Sequence, residues 1–263
     1  MKLSIIIPSY RDPLLQRTID DLLNKSELDI NMEIVVVLDG YWPIVPLQNN
    51  NKVKVVHLGK NRGMRGAINA GIDIASGEFI MRTDEHCIFS KGYDRILTKA
   101  CRSNWIITGM QYYLDPIKWE VMNIPPMGHQ KLVIQGDKKF AGQRWQERDE
   151  LNKNRINSET MAMQGSVWLM PRDWWNKVIV ELDTEHYGPL IQDSHEMVFK
   201  TWQAGGDLVL NKNMWFAHKH RSFPRTHNNG TTENPADCDK GYAYALSIWK
   251  KYYDNEIKPK WGI

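Results

Sequence analysis

The chain has 263 residues, of which 42% are hydrophobic and 25% charged, so it has apolar material for one large domain or two intimate halves and too much for a disordered chain. Its 34 basic and 31 acidic residues leave a net charge of +3, too even a balance to argue by itself for nucleic acid or a membrane surface. The apolar run in the opening MKLSIIIPSY is far short of the roughly 20 residues of a membrane span, and no later stretch reaches that length. Three cysteines, Cys87, Cys101 and Cys238, form no CxxC pair, which suits a reducing, cytoplasmic setting better than a disulfide framework.

Leu3 to Ile7 is a short apolar run ended by Pro8 and reads as a parallel strand covered on both faces. Pro13 to Leu23 is predicted to be helical, with Asp12 as N-cap and Pro13 in the first turn. Glu33 to Leu38 and Val53 to His57 read as further strands, and Met64 to Ala75 as a helix stopped at Ser76-Gly77. Glu78 to Arg82 is the fourth strand. This β-α-β-β-α-β order predicts an α/β fold with a Rossmann-like half, whose ligands sit at the carboxyl ends of strands. Asp39 and the stretch Thr83 to His86 fall at such ends.

Beyond it, Trp105 to Leu114 and Ser166 to Met170 read as strands, Arg172 to Ile179 and Ser194 to Ala204 as helices, and Asp207 to Leu210 and Met214 to Ala217 as two short strands. Residues 115–159 are polar, proline-bearing and without clear period, which predicts a functional loop or lid. Tyr242, Leu246, Trp249 and Tyr253 recur at helical spacing, so a C-terminal helix is expected to pack on the body. The expected division is a catalytic domain over 1–225 (a nucleotide-binding half to 86, an acceptor half beyond) and a tail over 226–263. The many tryptophans, Trp145, Trp168, Trp174, Trp175, Trp202 and Trp215 among them, read first as core and second as an aromatic platform for a sugar or base.

Four constellations carry chemistry. Asp84 and His86 stand two apart after a buried strand, so an extended chain points both to one side. They are either a polar strand end or part of a divalent-cation site. His218 ends another short strand; if it converges on that pair, the three make a facial site with positions left for a diphosphate, which Arg221 could grip with its fork of donors. Asn61 to Gly71 is glycine-rich and reads as a helix entry and packing seam. Asp193 and Glu196 stand at i and i+3 at a helix start; Glu196 is a capping or ion-pairing group or a catalytic one, while Asp193 is expected to precede the helix and face the cleft.

In this order the features resemble family 2-type glycosyltransferases of the GT-A fold. Ser4 to Tyr10 is similar to their first strand, and Asn61, Gly63, Ala67, Asn69, Gly71, Ala75, Gly77 and Glu78 follow the pattern N-x-G-x-x-x-A-x-N-x-G…A-x-G-E. A more detailed likeness is to the catalytic domain of polypeptide N-acetylgalactosaminyltransferases. Asp84 to Cys87 matches their Asp-x-His-Cys segment, Asp193 to Gly206 echoes E-N-x-E-I-S-F-R-x-W-Q-C-G-G, and Ala217 to Arg221 echoes G-H-V-F-R.

The resemblance implies a mixed central sheet joining a nucleotide-binding and an acceptor-binding half. It implies Mn²⁺ or Mg²⁺ on Asp84, His86 and His218, and a UDP-sugar donor near Pro8, Ser9, Tyr10, Arg11, Asp39, Asn61, Gly63, Arg65, Asp84, Glu85 and Arg221. Asp193, Glu196 and Arg221 are the candidate catalytic residues. With no secretory anchor, disulfide framework or lectin module in view, the peptide acceptor of those enzymes is not expected to carry over. A serine, Ser194, stands where inverting members carry the general base, which favours retention of configuration; inversion with Asp193 as base is the alternative. The acceptor is a glycan, a protein or a modified nucleobase of phage-type DNA, the last suggested by Lys131, Lys138, Lys139, Arg144 and Arg148. A nucleotidyltransferase would need a Gly-rich basic loop after the first strand, where Ser9 to Pro13 stands instead. A non-catalytic sugar-nucleotide binder is the third class.

Overall fold

A computed structural model describes residues 2–27, 31–220 and 235–263. Strand β1 (Leu3–Ser9) leads into α1 (Leu15–Lys25), β2 (Met32–Asp39), β3 (Val53–Leu58), α2 (Gly63–Ile74) and β4 (Phe79–Thr83). Next come β5 (Cys87–Phe89), α3 (Tyr93–Ala100), β6 (Trp105–Asp115), β7 (Glu120–Val121), β8 (Gln130–Gln135), β9 (Lys139–Arg144), α4 (Gln146–Leu151) and β10 (Asn157–Glu159). Strand β11 (Val167–Pro171) runs into the single turn α5 (Arg172–Trp174), which widens into a π turn over Trp175–Ile179. Helix α6 (Asp193–Gln203), β12 (Asp207–His218), α7 (Pro235–Tyr252), a π turn over Tyr253–Ile257 and α8 (Lys258–Trp261) follow.

One mixed sheet has the order β10-β12-β6-β11-β4-β1-β2-β3. Strand β1 is parallel to both β2 and β4, so the chain order reverses beside it. The crevice at the carboxyl ends of β1 and β4 is where such sheets bind ligands. Both strands are sealed on two faces, which is why they read as mostly apolar segments. On one face Ile6, Val35 and Val37 pack with Ala67, Ile68 and Ile72 of α2. On the other, Leu3, Ile5, Ile7, Ile34 and Val36 pack with Leu15, Ile19 and Leu22 of α1. Each fully buried Leu or Ile contributes roughly 1.5–3 kcal/mol relative to exposure.

The approach of α2 to β1 depends on Gly71, where an added Cβ would lie 2.5 Å from Ile6 Cγ2. Gly71→Val is therefore expected to destabilise the fold by about 1–3 kcal/mol through overpacking, read as a lower denaturant midpoint at unchanged slope.

Several expectations are corrected. Helix α1 starts at Leu15, because Asp12 Oδ1 accepts the Leu14 N–H (2.8 Å) and closes a turn ahead of the helix. The two short strands after α6 are one strand, β12, whose register shifts between Asn211 and Trp215. Asn211 Oδ1 causes that bulge to close locally by accepting the Asn213 and Met214 N–H groups (2.9 and 3.0 Å).

The supposed lid over 115–159 is instead built around the β8–β9 hairpin and α4. Gly136 and Asp137 both have positive φ (58° and 54°), the mirror-image turn that suits strand twist. Leu132 and Phe140 are buried in the main core, and Tyr253 Oη donates to Leu132 O (2.6 Å). The C-terminal segment packs there too, through Trp249, Tyr253 and Ile257. Trp168, Trp174, Trp175 and Trp202 are all core residues, as their plainer reading had it.

Candidate active site

Strand β4 delivers Asp84 at its carboxyl end, the short β5 follows His86, and β12 ends on His218. Antiparallel pairing sets His218 opposite Cys87, directly beside His86. His218 Nε2 lies 3.0 Å from Asp84 Oδ2 and 3.0 Å from His86 Nε2. One carboxylate oxygen and two imidazole nitrogens thus converge within 4.8 Å of one another.

Burial would push the Asp84 carboxyl up, but the Arg82 guanidinium and then His218 and His86 outweigh it, holding it well below the usual carboxylate range. Burial pushes His218 down to about 4 against the pull of Asp84. At neutral pH the site therefore offers a carboxylate and a neutral imidazole, the protonation states a cation requires.

The donor set fits a divalent ion. Neighbouring ligands at about 2.1 Å from an octahedral ion are about 3 Å apart, the spacing of both contacts to His218 Nε2. His218 Nδ1 is buried with no hydrogen-bond partner, a ring held by its Nε2 edge alone. Two imidazoles and one carboxylate are a borderline donor set that a first-row divalent ion such as Mn²⁺ can occupy, with positions left open.

Around the cluster, the loop after β1 lies against Glu85. Tyr10 N donates to Glu85 Oε2 (3.1 Å), and Ser9 Oγ meets Tyr41 Oη. Pro8 is buried within β1, and Arg11 is exposed at positive φ (59°) beside the Tyr10 ring. At the end of β2, Asp39 Oδ1 accepts the Arg62 N–H (2.6 Å), and Asn61 Nδ2 donates to Asp39 O (3.2 Å). Burial raises the Asp39 carboxyl to about 6.

Residues 4–179 match the family model Glycosyl transferase family 2. The chain belongs to glycosyl transferase family 2. A putative polypeptide N-acetylgalactosaminyltransferase 13 of Drosophila melanogaster is 25% identical over 231 residues, 79% of this chain and 39% of that protein. An uncharacterized glycosyltransferase of Bacillus subtilis, YwdF, is 33% identical over 103 residues, 38% of each. The chain thus spans about two fifths of the curated relatives it matches. Its fold is the GT-A fold of GalNAc-T7 solved with UDP, GalNAc and Mn²⁺: the TM-score is 0.71 at 17% identity, over 98% of this chain and 50% of that one.

Other expected site residues of this family 2 member lie elsewhere. Arg65 is buried, and all three guanidinium nitrogens are engaged: Nε with Asp183 O (2.9 Å), Nη1 with Ile191 O (2.6 Å) and Nη2 with Glu196. Glu196 also pairs with Lys200 (2.8 Å) and accepts the Asp183 N–H (3.3 Å). The expectation that Arg65 faces a nucleotide and Glu196 a reacting bond is therefore replaced by an internal ion pair between α2 and α6. Gly63 too faces the protein interior: its φ is +76°, an added Cβ would sit 2.2 Å from Pro189 Cβ, and Arg65 N donates to Pro189 O (3.1 Å). The start of α2 is thus covered by the chain around Pro189. Arg221 lies outside the described residues.

Asp193 opens α6 rather than preceding it, after Gln192 at positive φ (58°). Its Oδ2 is buried without a hydrogen-bond partner, and it borders Gly165, where an added Cβ would be 3.4 Å away. Gly165 O accepts from Arg82 Nη1, and Arg82 Nη2 bonds Asp84 Oδ1 (2.5 Å). A short path thus joins Asp193 to the cluster of Asp84, His86 and His218. Arg82 is a residue that sequence reasoning missed; its signal was one charge inside the buried strand FIMRT. His220 was missed as well: it contacts Gln111 Nε2 (3.3 Å), and its ring lies 5.1 Å from that of His218.

His195, on α6, has both ring nitrogens buried without partners, and burial lowers it to about 4. Between that value and the ordinary 6.5 the unfolded chain binds a proton that the folded ring refuses. Stability from this group is therefore complete above about pH 6.5 and is lost as pH falls. Unfolding free energies at about pH 7.5 and pH 5 should differ by on the order of 2 kcal/mol more in the wild type than in His195→Asn. Equal differences would show that the folded ring takes its proton normally.

Proposed function

We propose that this family 2 member is a divalent-cation-assisted transferase that moves a sugar from a UDP-sugar to an acceptor hydroxyl, with retention of anomeric configuration. The observation that carries the reading is the convergence of Asp84, His86 and His218 at the carboxyl end of β4, beside the carboxyl end of β1. Asp84, His86 and His218 would hold Mn²⁺ or Mg²⁺. Such an ion supplies charge neutralisation for the diphosphate as the sugar bond breaks.

The protein's own part is orientation. Arg82 fixes one Asp84 oxygen (2.5 Å) and leaves the other toward His218. Glu85 pins the backbone of Tyr10 at the mouth of β1, where Arg11 adds a positive charge to the cleft edge, the sign that suits a diphosphate. Asp39 and Asn61 shape the neighbouring loop end, a place suited to the uridine. Ser194 borders Gly165, and a serine without a partner base does not take an acceptor proton at neutral pH. A serine rather than an acid at position 194 is the ground for retention.

Inversion is favoured by one observation, the unpartnered buried Asp193 Oδ2 next to Gly165. A donor panel with Mn²⁺, followed by UDP release and the anomeric proton coupling of the product, tests both. Retention with a UDP-sugar supports the main reading, inverted product assigns Asp193 as base, and no turnover with any UDP-sugar overturns the donor class. For the acceptor, a glycan, a protein or a modified nucleobase, salt decides: binding to DNA should weaken steeply between low and moderate salt, and binding to a neutral glycan should not.

A further inference from the structure

We propose that Asp12 is a positioning residue for the cation ligand His86, holding the ring by its Nδ1 edge so that Nε2 faces Asp84 and His218. The inference rests on the cation reading of that cluster. His86 stands between two partners on opposite edges. Nδ1 is 3.0 Å from Asp12 Oδ2, and Nε2 is 3.0 Å from His218 Nε2. Both side chains are buried, 3% and 6% exposed, so the carboxylate and ring are held together away from bulk water. At this ring angle Nδ1 makes no hydrogen bond, so the Asp12 contact is an electrostatic one at short range.

A neutral imidazole carries one N–H and one lone pair. A carboxylate beside Nδ1 favours the proton on that nitrogen, which leaves the lone pair on Nε2, restrains the ring and strengthens it as a ligand. The loop that carries Asp12 is itself fastened to the strand end that carries His86. Thr18 Oγ1 donates to Glu85 O (3.0 Å) and accepts the Cys87 N–H (3.0 Å), bracketing His86, while Tyr10 N donates to Glu85 Oε2 (3.1 Å). Asp12 and His86 therefore keep their spacing through two independent ties.

A purely structural Asp12 would only close the turn into α1, through its Oδ1 and the Leu14 N–H (2.8 Å). Asp12→Asn separates the roles: it keeps an oxygen for Leu14 and places an amide where His86 needs an acceptor. The experiment is a Mn²⁺ titration of wild type and Asp12→Asn, read by loss of the free-ion EPR signal, with thermal melts of the metal-free proteins alongside. The expected result is an affinity about 10- to 100-fold weaker in Asp12→Asn with the metal-free melt unchanged. Should Asp12→Asn melt early, Asp12→Ser, which also offers an oxygen to Leu14, is read by the same criterion. Affinity equal to wild type in the variant that folds overturns this inference alone. No Mn²⁺ uptake by the wild type overturns the cation reading and the inference with it.

Discussion

Asp84→Asn is expected to lower UDP-sugar turnover on the order of a thousandfold while leaving the fold intact. The amide oxygen can still accept from Arg82, so the strand end keeps its anchor (2.5 Å in the wild type). What is lost is the negative charge facing His218 at 3.0 Å. A divalent ion would then be held by two imidazoles and an amide, with less negative charge to retain it beside a diphosphate. His218→Ala should match it, because either change dismantles the same three-atom cluster. UDP release at saturating donor, with a melting curve for each variant, checks the prediction. Near-normal turnover in Asp84→Asn would remove the carboxylate from the chemistry.

The second large effect is on stability. Arg65→Met should cost about 3–5 kcal/mol, because it strands a buried carboxylate. Glu196 would keep Lys200 and the Asp183 N–H on one oxygen but lose the partner of the other, and the carbonyls of Asp183 and Ile191 would lose the guanidinium. Met matches much of the stem volume, so the loss is chiefly electrostatic. Replacing Glu196 as well, in Arg65→Met/Glu196→Leu, should regain part of it, since a buried pair exchanged for apolar groups is often neutral. Denaturant midpoints of the two single variants and the double variant close the cycle. Full stability in Arg65→Met together with lost UDP affinity would return Arg65 to the nucleotide site.

These two residues mark where the sequence stops being legible. Asp84 and His86 were paired by their spacing and His218 was placed by its strand end, while their grouping as one ligand set came from the family resemblance. The first half of the fold was readable because β1 and β2 are buried on both faces and carry the apolar runs Ile5 to Ile7 and Ile34 to Leu38. Arg65 and Glu196 carry the residue types of a site, yet they serve as an interior bolt. Nothing local distinguishes a charge facing a ligand from one facing its partner 131 residues away. The hairpin over β8 and β9 was missed because its fully buried apolar residues, Leu132 and Phe140, sit in short strands flanked by Lys and Gln that mask the period. Its turn at Gly136-Asp137 was the available signal. Asp12 read as a helix cap, and its second oxygen reaches His86 only because the fold brings the loop after β1 to the end of β4.

Crystals soaked with Mn²⁺ and UDP, with data collected at the manganese absorption edge, give the most direct measurement. The account predicts one strong anomalous peak within bonding distance of Asp84, His86 and His218, with the diphosphate beside it. A peak placed elsewhere, or UDP bound with no peak at those three side chains, would contradict it.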